Sequence, residues 1–287
     1  MSAGAAPAIA KEPAAGVSGS LGSLHLALEN GGAEATSVAG APSPVPPLVA
    51  PEDPPAAELT KAQLSGFSLL SRYASEATLA EFRVLRSRLI RIKQLHENSG
   101  RRFRSLHVTS AIQGEGKTFV ALNLGLMIAV SPHVRVLVVD VNVQRPSFQS
   151  RLRISQFPGL REGLLGAPWK GFVHKVPEMN LYVAPLGIAQ NTPMEPVDGN
   201  LLQSWLSRVA EDFDWIILDG SALEESPEAE MISYVADSNL VAVDPRTSNF
   251  QLLDRNLSKI REASLAGVVL NRRPPAKRKR LAAEKSG

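Results

Sequence analysis

The chain has 287 residues, and 44% of them are hydrophobic, which is enough for one large α/β domain or two modest ones. It contains no cysteine, so disulfides, thiolate metal sites and cysteine nucleophiles are excluded. The formal net charge of +3 conceals two basic segments, residues 81–104 and 272–287, in an otherwise acidic chain.

Length and hydropathy also bear on the cellular location. The longest apolar helical run, residues 121–130, is about half as long as a bilayer span requires. The first residues lack the basic and apolar regions of a secretory signal. These two features exclude integral membrane insertion and predict a cytoplasmic protein.

The N-terminal segment, residues 1–60, is dominated by Ala, Gly, Pro and Ser. A segment with so few branched and aromatic residues cannot offset its ordering entropy, so we expect a disordered arm. A Pro-rich ligand for a small recognition domain is the alternative, although the proline patches lack flanking basic residues. The composition then predicts a folded domain at residues 61–273 and a disordered basic tail at residues 274–287.

The predicted elements begin with an amphipathic helix after Ser75. Its apolar residues recur at helical spacing at Leu79, Phe82, Leu85, Leu89 and Ile92. Short apolar strands are predicted at residues 106–109, 134–141, 181–184, 215–218, 240–243 and 267–270, and further helices at residues 118–129, 201–209 and 252–263. Strands that alternate with helices imply an α/β fold with a mainly parallel sheet, covered on both faces and binding ligands beyond its carboxyl edge.

A glycine-bearing loop, residues 110–118, joins the first of these strands to a helix. Gly114 and Gly116 let backbone N–H groups turn toward a phosphate, and the helix N-terminus adds positive potential. Lys117 is expected to reach the β- and γ-phosphates, and the Thr118 hydroxyl to bind Mg²⁺. A Gly-Lys-Thr tripeptide alone is common in ordinary turns, but its position between a strand and a helix predicts a P-loop.

Two acidic residues, Asp140 and Asp219, each close an apolar strand. An acid in this position either caps the next helix or holds hydrated Mg²⁺ near phosphates. With a P-loop in the same sheet, we expect the metal role for both. Three strand ends that converge on a Mg-nucleotide form a more specific signal than any one of them.

Over residues 76–273 the sequence resembles the bacterial tyrosine kinases, P-loop autokinases tied to capsule and exopolysaccharide production. The resemblance is carried by residues 109–118 (Walker A), 138–146 (a second, A-prime motif), 214–219 (Walker B) and 267–271. It implies a three-layer P-loop NTPase domain that uses ATP and Mg²⁺ to phosphorylate protein tyrosine. The resemblance implies three sets of site residues. The catalytic residues are Lys117, Asp140 and Asn142, and the metal ligands are Thr118, Asp140 and Asp219. The nucleotide-binding residues are Gln113, Gly114, Glu115, Gly116, Lys117, Thr118, Phe119 and Asn271, of which Asn271 lies beside the base.

The chain departs from the family pattern at several positions. Asn142 stands where the family has an aspartate thought to assist deprotonation of the tyrosine, and an amide cannot accept a proton at neutral pH. Gln144 replaces an arginine, and residues 220–222 replace a Thr-Pro-Pro turn. The basic stretch at residues 272–280 stands where the family keeps its tyrosine cluster. We therefore expect weakened phosphoryl transfer.

The resemblance also implies partners. The predicted first helix resembles the family helix that assembles rings, here with Glu81, Arg83 and Arg86; Ala80 occupies the place of the usual acid, and a solvated helix face is the alternative. A transmembrane polysaccharide co-polymerase or activator would hold the protein at the inner face of the membrane. The basic tail is either a solvated end or a contact with anionic lipid or an acidic partner, and no specific nucleic acid is expected.

Three functions are compatible with these features. The first is an ATP-dependent tyrosine kinase; the second is a non-catalytic, ATP-controlled regulatory subunit of a polysaccharide assembly. The third, a positioning ATPase of the MinD and ParA type, is disfavoured, because Ile112 stands where those proteins carry a lysine.

Overall fold

The computed structural model describes residues 56–65, 67, 75–155, 158–187 and 196–271. Most of the predicted arm and the whole predicted basic tail, including the basic residues from Arg272, lie outside the described residues. Within the described ranges the chain forms eight strands and eight α-helices that largely alternate along the sequence. None of these helices has both the length and the apolar character that a bilayer span requires.

The strands are β1 (Ala57–Glu58), β2 (Ser105–Ser110), β3 (Val136–Asp140), β4 (His174–Lys175), β5 (Leu181–Ala184), β6 (Trp215–Ala222), β7 (Ser238–Val243) and β8 (Leu265–Leu270). The α-helices are α1 (Lys61–Leu64), α2 (Glu76–Asn98), α3 (Lys117–Ala129), α4 (Phe148–Leu152), α5 (Leu160–Leu164), α6 (Gly199–Val209), α7 (Pro227–Val235) and α8 (Phe250–Leu257). Two short 3₁₀ helices lie at Trp169–Gly171 and Glu262–Ser264.

All these strands belong to one sheet with the order β1-β4-β5-β3-β6-β2-β7-β8. Neighbouring strands pair in parallel except β4 and β5, which pair antiparallel. The central strands are continuous apolar runs because both of their faces are buried. The parallel strands β3, β6 and β2 are adjacent, so their carboxyl ends lie at one edge of the sheet, where the predicted site residues follow.

Alternate residues of β3 supply two cores on opposite faces of the sheet. Val136 and Val138 pack in a core that includes residues of α2 and α3, whereas Leu137 and Val139 pack in a core that includes residues of α6 and α7. Helices therefore cover both faces of the sheet, and the predicted three-layer α/β architecture with a mainly parallel sheet is confirmed.

Helix α2 is the amphipathic helix that the sequence predicts after Ser75. The Ser75 hydroxyl accepts a hydrogen bond from the Thr78 N–H (3.1 Å) and so caps the helix. Phe82 and Leu89 are its buried residues, and the Phe82 ring meets the edge of the Phe119 ring of α3 at a centroid distance of 5.8 Å. Helix α2 thus covers the helix that follows the predicted P-loop.

Several boundaries differ from the sequence predictions. Strand β1 lies inside the predicted arm, residues 1–60, so ordered structure begins before the predicted boundary; a two-residue strand carries no periodic signal. The helix predicted at residues 252–263 ends at Leu257, after which the chain turns and buries Ile260 beside Leu223. Strand β6 continues past its predicted end to Ala222, because Ala222 still pairs with Ser110 of β2 after an irregularity in the register.

Candidate nucleotide-binding site

The predicted P-loop, residues 110–118, joins the carboxyl end of β2 to the first turn of α3. Gly114 and Gly116 have backbone φ angles of +85° and +92°, in the left-handed region that residues with a Cβ rarely adopt. At Gly116 an added Cβ would also lie 2.0 Å from the Asn271 side-chain nitrogen. Conformation and space together therefore require glycine at Gly116.

Lys117 is the first residue of α3, and only 7% of its surface is exposed. Its Nζ donates a hydrogen bond to Ser110 Oγ (2.9 Å), the one acceptor it has among the described residues. Burial lowers the pKa of Lys117, and the carboxylates of Asp219, Glu225 and Glu115 oppose that shift. A buried ammonium group with one neutral acceptor is suited to a ligand that brings negative charge.

Asp140 and Asp219 are paired residues of the neighbouring strands β3 and β6, and both are fully buried. Asp140 accepts three backbone hydrogen bonds, from the N–H groups of Asn142 (3.0 Å), Ser147 (2.7 Å) and Phe148 (3.0 Å). Neither carboxylate oxygen of Asp219 accepts a well-formed hydrogen bond from any residue in the described ranges. The two acids thus share a location but differ in how they are satisfied.

Burial raises the pKa of both carboxyl groups. The pKa of Asp140 is raised to about 6, and the three backbone hydrogen bonds limit the effect. The pKa of Asp219 is raised to about 8, where the charge of Asp140 adds to the effect of burial and the nearby Thr118 hydroxyl opposes it. Adjacent buried carboxyl groups, of which Asp219 has two oxygens without partners, are a donor set that an oxygen-liganded cation stabilises, so these residues fit the Mg²⁺ that the P-loop implies.

A cavity of about 220 Å³ lies at this edge of the sheet. Its lining residues are Gln113, Gly114, Gly116, Lys117, Thr118, Asn142, Gln144, Arg145, Arg151, Ser221, Ala222 and Glu225. Half of these are predicted site residues, which the fold therefore brings together. The Thr118 hydroxyl lies 3.3 Å from Ser147 Oγ, in the loop that Asp140 holds.

Six lining residues were not among the predicted site residues: Gln144, Arg145, Arg151, Ser221, Ala222 and Glu225. Arg151 belongs to α4, whose five residues are too few for a periodic signal. Glu225 lies in the turn after β6. Ser221 was noted only within residues 220–222 as a departure from the family pattern, and the irregular pairing of β6 with β2 after Asp219 breaks the simple alternation of faces that would place it.

Two predicted nucleotide ligands, Glu115 and Phe119, direct their side chains elsewhere. Glu115 is fully buried; its Oε2 accepts the Ile112 N–H (3.0 Å), and its Oε1 accepts the Asp244 N–H (2.9 Å) and the Ser248 hydroxyl (2.5 Å). The Phe119 ring packs in the core against α2. These side chains brace the P-loop and α3 from within, so nucleotide contacts of Glu115 and Phe119 would come from their backbone, and both stay predictions.

Asn271 follows β8 and lies against the P-loop. Its Nδ2 donates to the Glu115 carbonyl oxygen (2.8 Å), and it occupies the space beside Gly116. The side chain thus joins the end of β8 to the loop. Its predicted contact with the base stays a prediction.

Asn142 lines the cavity just beyond Asp140. Its Oδ1 accepts hydrogen bonds from the Arg145 N–H (3.0 Å) and from the Ser221 hydroxyl (2.7 Å). The side chain is therefore held by its oxygen, a geometry that differs from that of a free carboxylate.

The predicted assembly residues of α2 lie apart from the cavity. Glu81 and Arg83 are exposed, and Arg83 forms an ion pair with Glu76 (2.7 Å). Arg86 is partly buried and donates to Ser131 Oγ (2.5 Å) within the same chain. Subunit contact through this helix stays a prediction, with Arg86 already engaged inside the chain.

No protein-family model matches the chain, but curated relatives do. It is 26% identical over 184 residues to the succinoglycan biosynthesis transport protein ExoP of Rhizobium meliloti (strain 1021), a match covering 61% of this chain and 23% of that protein. It is 27% identical over 159 residues to the tyrosine-protein kinase ptk of Acinetobacter johnsonii, covering 54% and 22% of the two chains. The tyrosine-protein kinase YwqD of Bacillus subtilis (strain 168) is 26% identical over 183 residues, covering 60% and 73%. The chain thus spans about a quarter of the length of the first two relatives.

Solved structures share the fold. The chimerical protein CapA2B2 superposes with a TM-score of 0.62 at 21% identity, over 77% of this chain and 95% of that one. The septum site-determining protein MinD of Pyrococcus horikoshii OT3, solved with Mg-ADP, gives a TM-score of 0.52 at 20% identity, over 61% and 73%. At these identities the likeness concerns the P-loop NTPase fold. The chain is thus similar in sequence to two tyrosine-protein kinases and shares this fold with the solved structures.

Proposed function

We propose that the chain is an ATP-binding, Mg²⁺-dependent, tyrosine-kinase-like protein that regulates exopolysaccharide or capsule biosynthesis or export, with weakened phosphoryl transfer. The observation that carries this proposal is the buried Lys117 beside the Asp140 and Asp219 pair, at a cavity rimmed by glycines with left-handed backbone. A buried cation at this cavity and two buried acids close to it are costly unless a Mg-nucleotide satisfies them. Similarity to a succinoglycan biosynthesis transport protein and to a tyrosine-protein kinase supports the biological setting.

Each residue then has a stated task. Lys117 would bind phosphate oxygens, and the backbone N–H groups at Gly114 and Gly116 would cradle them. The Thr118 hydroxyl, Asp140 and Asp219 would hold Mg²⁺, which when bound supplies charge neutralisation between phosphates. Asp140 would also keep the loop that carries Ser147 in place through its backbone hydrogen bonds. Positioning and electrostatic stabilisation of this kind dominate phosphoryl transfer.

The proposed weakness of transfer rests on Asn142. An amide takes up no proton at neutral pH, and its oxygen already accepts two hydrogen bonds. General-base help is typically worth about 10²- to 10⁴-fold in rate. Its loss would leave positioning by Lys117 and the metal ligands as the main source of catalysis.

A non-catalytic regulatory subunit is the second candidate, and the contact between Asn142 and Ser221 favours it. Both residues depart from the family pattern, and they form a hydrogen bond with each other at the cavity wall. A protein retaining the nucleotide site without a base would act by binding its partner differently with ATP and ADP. In either case we propose a transmembrane polysaccharide co-polymerase as the partner, which would bring the chain to the inner face of the membrane. A MinD-type role gains nothing from the shared fold, because Ile112 still stands in the place of the lysine.

Nucleotide binding is tested with Lys117→Ala against Lys61→Ala, a substitution of an exposed lysine in α1. Equilibrium binding of a fluorescent ATP analogue with Mg²⁺ should weaken by at least about tenfold in Lys117→Ala, because a charge-assisted hydrogen bond is lost. The Lys61→Ala control should bind like the wild type. Wild-type protein that binds no nucleotide, with or without Mg²⁺, would contradict the proposal.

Transfer is tested separately with labelled ATP and a membrane partner of the assembly. We expect little label on tyrosine with the wild type and more with Asn142→Asp, at saturating ATP. A wild type that already labels tyrosine rapidly would contradict weakened transfer. Equal silence in both proteins under every partner condition would favour the regulatory subunit over the kinase.

A further inference from the structure

Asn142 and Ser221 form one unit at the wall of the cavity. Asn142 lies two residues beyond Asp140, and Ser221 lies two residues beyond Asp219; Asp140 and Asp219 are the last pair of residues in the pairing of β3 with β6. The Ser221 Oγ donates to Asn142 Oδ1 at 2.7 Å, and only 3% of the Ser221 surface is exposed. Thr109 Oγ1 donates to the Ser221 carbonyl oxygen (2.7 Å) and fixes that residue from β2.

The backbone N–H of Arg145 determines which way the Asn142 amide faces. The Arg145 backbone N–H, which can only donate, lies 3.0 Å from one terminal atom of the side chain. That atom must therefore be the oxygen, and the Ser221 hydroxyl donates to the same atom. The NH₂ group is consequently the other terminus, and it has no acceptor among the residues of the described ranges.

The surroundings indicate what an NH₂ group would bind. Lys117, Arg145 and Arg151 line the same cavity and offer cationic donors. Glu225 is the carboxylate among the lining residues, and it lies in the turn after β6. A cavity wall that presents ammonium, guanidinium and amide donors recognises an anion with several oxygens, of which phosphate is the best match.

The location of Asn142 indicates which phosphate of a bound nucleotide it would contact. In P-loop proteins the loop backbone cradles the α- and β-phosphates, and the metal bridges the β- and γ-phosphates. Asn142 and Ser221 each follow a proposed metal ligand by two residues, and both line the cavity that Lys117 lines. The terminal phosphate of a nucleoside triphosphate is the group that would lie near the proposed metal ligands.

We propose that Asn142, oriented by Ser221, donates a hydrogen bond from its NH₂ group to the terminal phosphate, and that this pair makes the site prefer a nucleoside triphosphate over a diphosphate. The inference rests on the proposed nucleotide site and adds a specificity-determining pair to it. Asn142 is a binding residue in this scheme, and Ser221 is a positioning residue that acts through it. Asn142 and Ser221, which both depart from the family pattern, would thus act together in binding the terminal phosphate.

The test compares the affinity of Mg-ADP with that of a non-hydrolysable Mg-ATP analogue by isothermal titration. Asn142→Ala removes the donor without adding charge, Asn142→Asp adds a negative charge, and Ser221→Ala releases the amide. We expect the preference for the triphosphate to fall about tenfold in both Asn142 variants and about threefold in Ser221→Ala, with the affinity for Mg-ADP unchanged. Asn200→Asp and Ser207→Ala, at exposed positions of α6, should keep the wild-type preference.

The outcomes separate this inference from the proposed function. Wild-type protein that binds neither nucleotide overturns both. Binding of both nucleotides with no triphosphate preference, or a preference that survives in Asn142→Ala, overturns the inference and leaves the nucleotide site standing. A loss confined to Asn142→Asp would assign the effect to charge repulsion and would also overturn the donor role. Circular dichroism of each variant checks that the fold is retained.

Discussion

Asp140 and Asp219 lie side by side on paired strands, yet they are satisfied in opposite ways. Asp140 accepts three backbone hydrogen bonds from the loop after β3, whereas Asp219 accepts no well-formed hydrogen bond from the described residues. Asp140 therefore organises its loop without any ligand, and Asp219 depends on one. Two acids with equal burial and paired register therefore differ in hydrogen bonding, because the backbone that follows β3 turns its N–H groups toward Asp140 and the backbone that follows Asp219 does not.

The largest expected effect is on the free energy of unfolding, which Asp140→Ala should lower and Asp219→Ala should not. Asp140→Ala leaves the N–H groups of Asn142, Ser147 and Phe148 without their acceptor, so the free energy of unfolding should fall by about 2–4 kcal/mol. Asp219→Ala removes a buried carboxyl group that no described residue satisfies, so stability without nucleotide should hold or rise. Urea unfolding of both variants measures the difference.

The control for these two substitutions is Asp140→Asn, which keeps one acceptor oxygen and should recover part of the loss. Equal destabilisation by Asp140→Ala and Asp219→Ala would show that the hydrogen bonds of Asp140 do not distinguish the two acids. The contrast between Asp140 and Asp219 would then have no energetic basis.

A second prediction concerns Mg-nucleotide. If Asp219 depends on a cation, Mg-ADP should stabilise the wild type, by about 2.7 kcal/mol at a hundredfold excess over its Kd. Asp219→Asn should lose most of this stabilisation, because a neutral amide is a poor Mg²⁺ ligand. Thermal unfolding with Mg-ADP, and with ADP and EDTA, measures it; stabilisation that survives in Asp219→Asn would remove Asp219 from the metal site.

A third prediction follows from the raised pKa of Asp219. Because its folded pKa, about 8, exceeds its ordinary value near 4, the folded state holds the proton more tightly than the unfolded chain between these limits. This contribution to stability is complete below about pH 4 and is lost as the pH rises through 8. Without Mg²⁺, unfolding at pH 5.5 and pH 8.5 should show a decline in the wild type that exceeds that of Asp219→Asn by at least about 1 kcal/mol. Parallel pH profiles would contradict the assignment.

The sequence predicts the parts of the fold that depend on neighbouring residues. Strand β5 lies within its predicted bounds and α2 follows its apolar spacing, because both are read from neighbouring residues. Strands β1 and β4 were not predicted, since two residues carry no period and their pairing is decided by contacts distant in the chain.

The same limit applies to the site. Gly114, Gly116, Lys117 and Thr118 lie in one short motif and were identified from it. The direction of the Glu115 side chain depends on Asp244 and Ser248, more than a hundred residues away, so the motif alone does not show that this side chain braces the loop. The contact between Asn142 and Ser221 likewise joins residues 79 positions apart, which no local pattern contains.

The smallest expected effect concerns an exposed ion pair, and it tests whether burial decides how much a charged group contributes to stability. Arg83 and Glu76 form an ion pair at 2.7 Å, but their side chains are 58% and 77% exposed. Solvent screens such a pair, so Arg83→Ala should change the free energy of unfolding by less than about 0.5 kcal/mol, and Glu76→Gln should do the same. Urea unfolding at low and high salt measures both. If Arg83→Ala cost as much as Asp140→Ala, proximity of opposite charges would matter as much as buried hydrogen bonding, and the contrast between Asp140 and Asp219 would need another cause. A concentration-dependent loss would instead indicate that Arg83 contacts a second subunit.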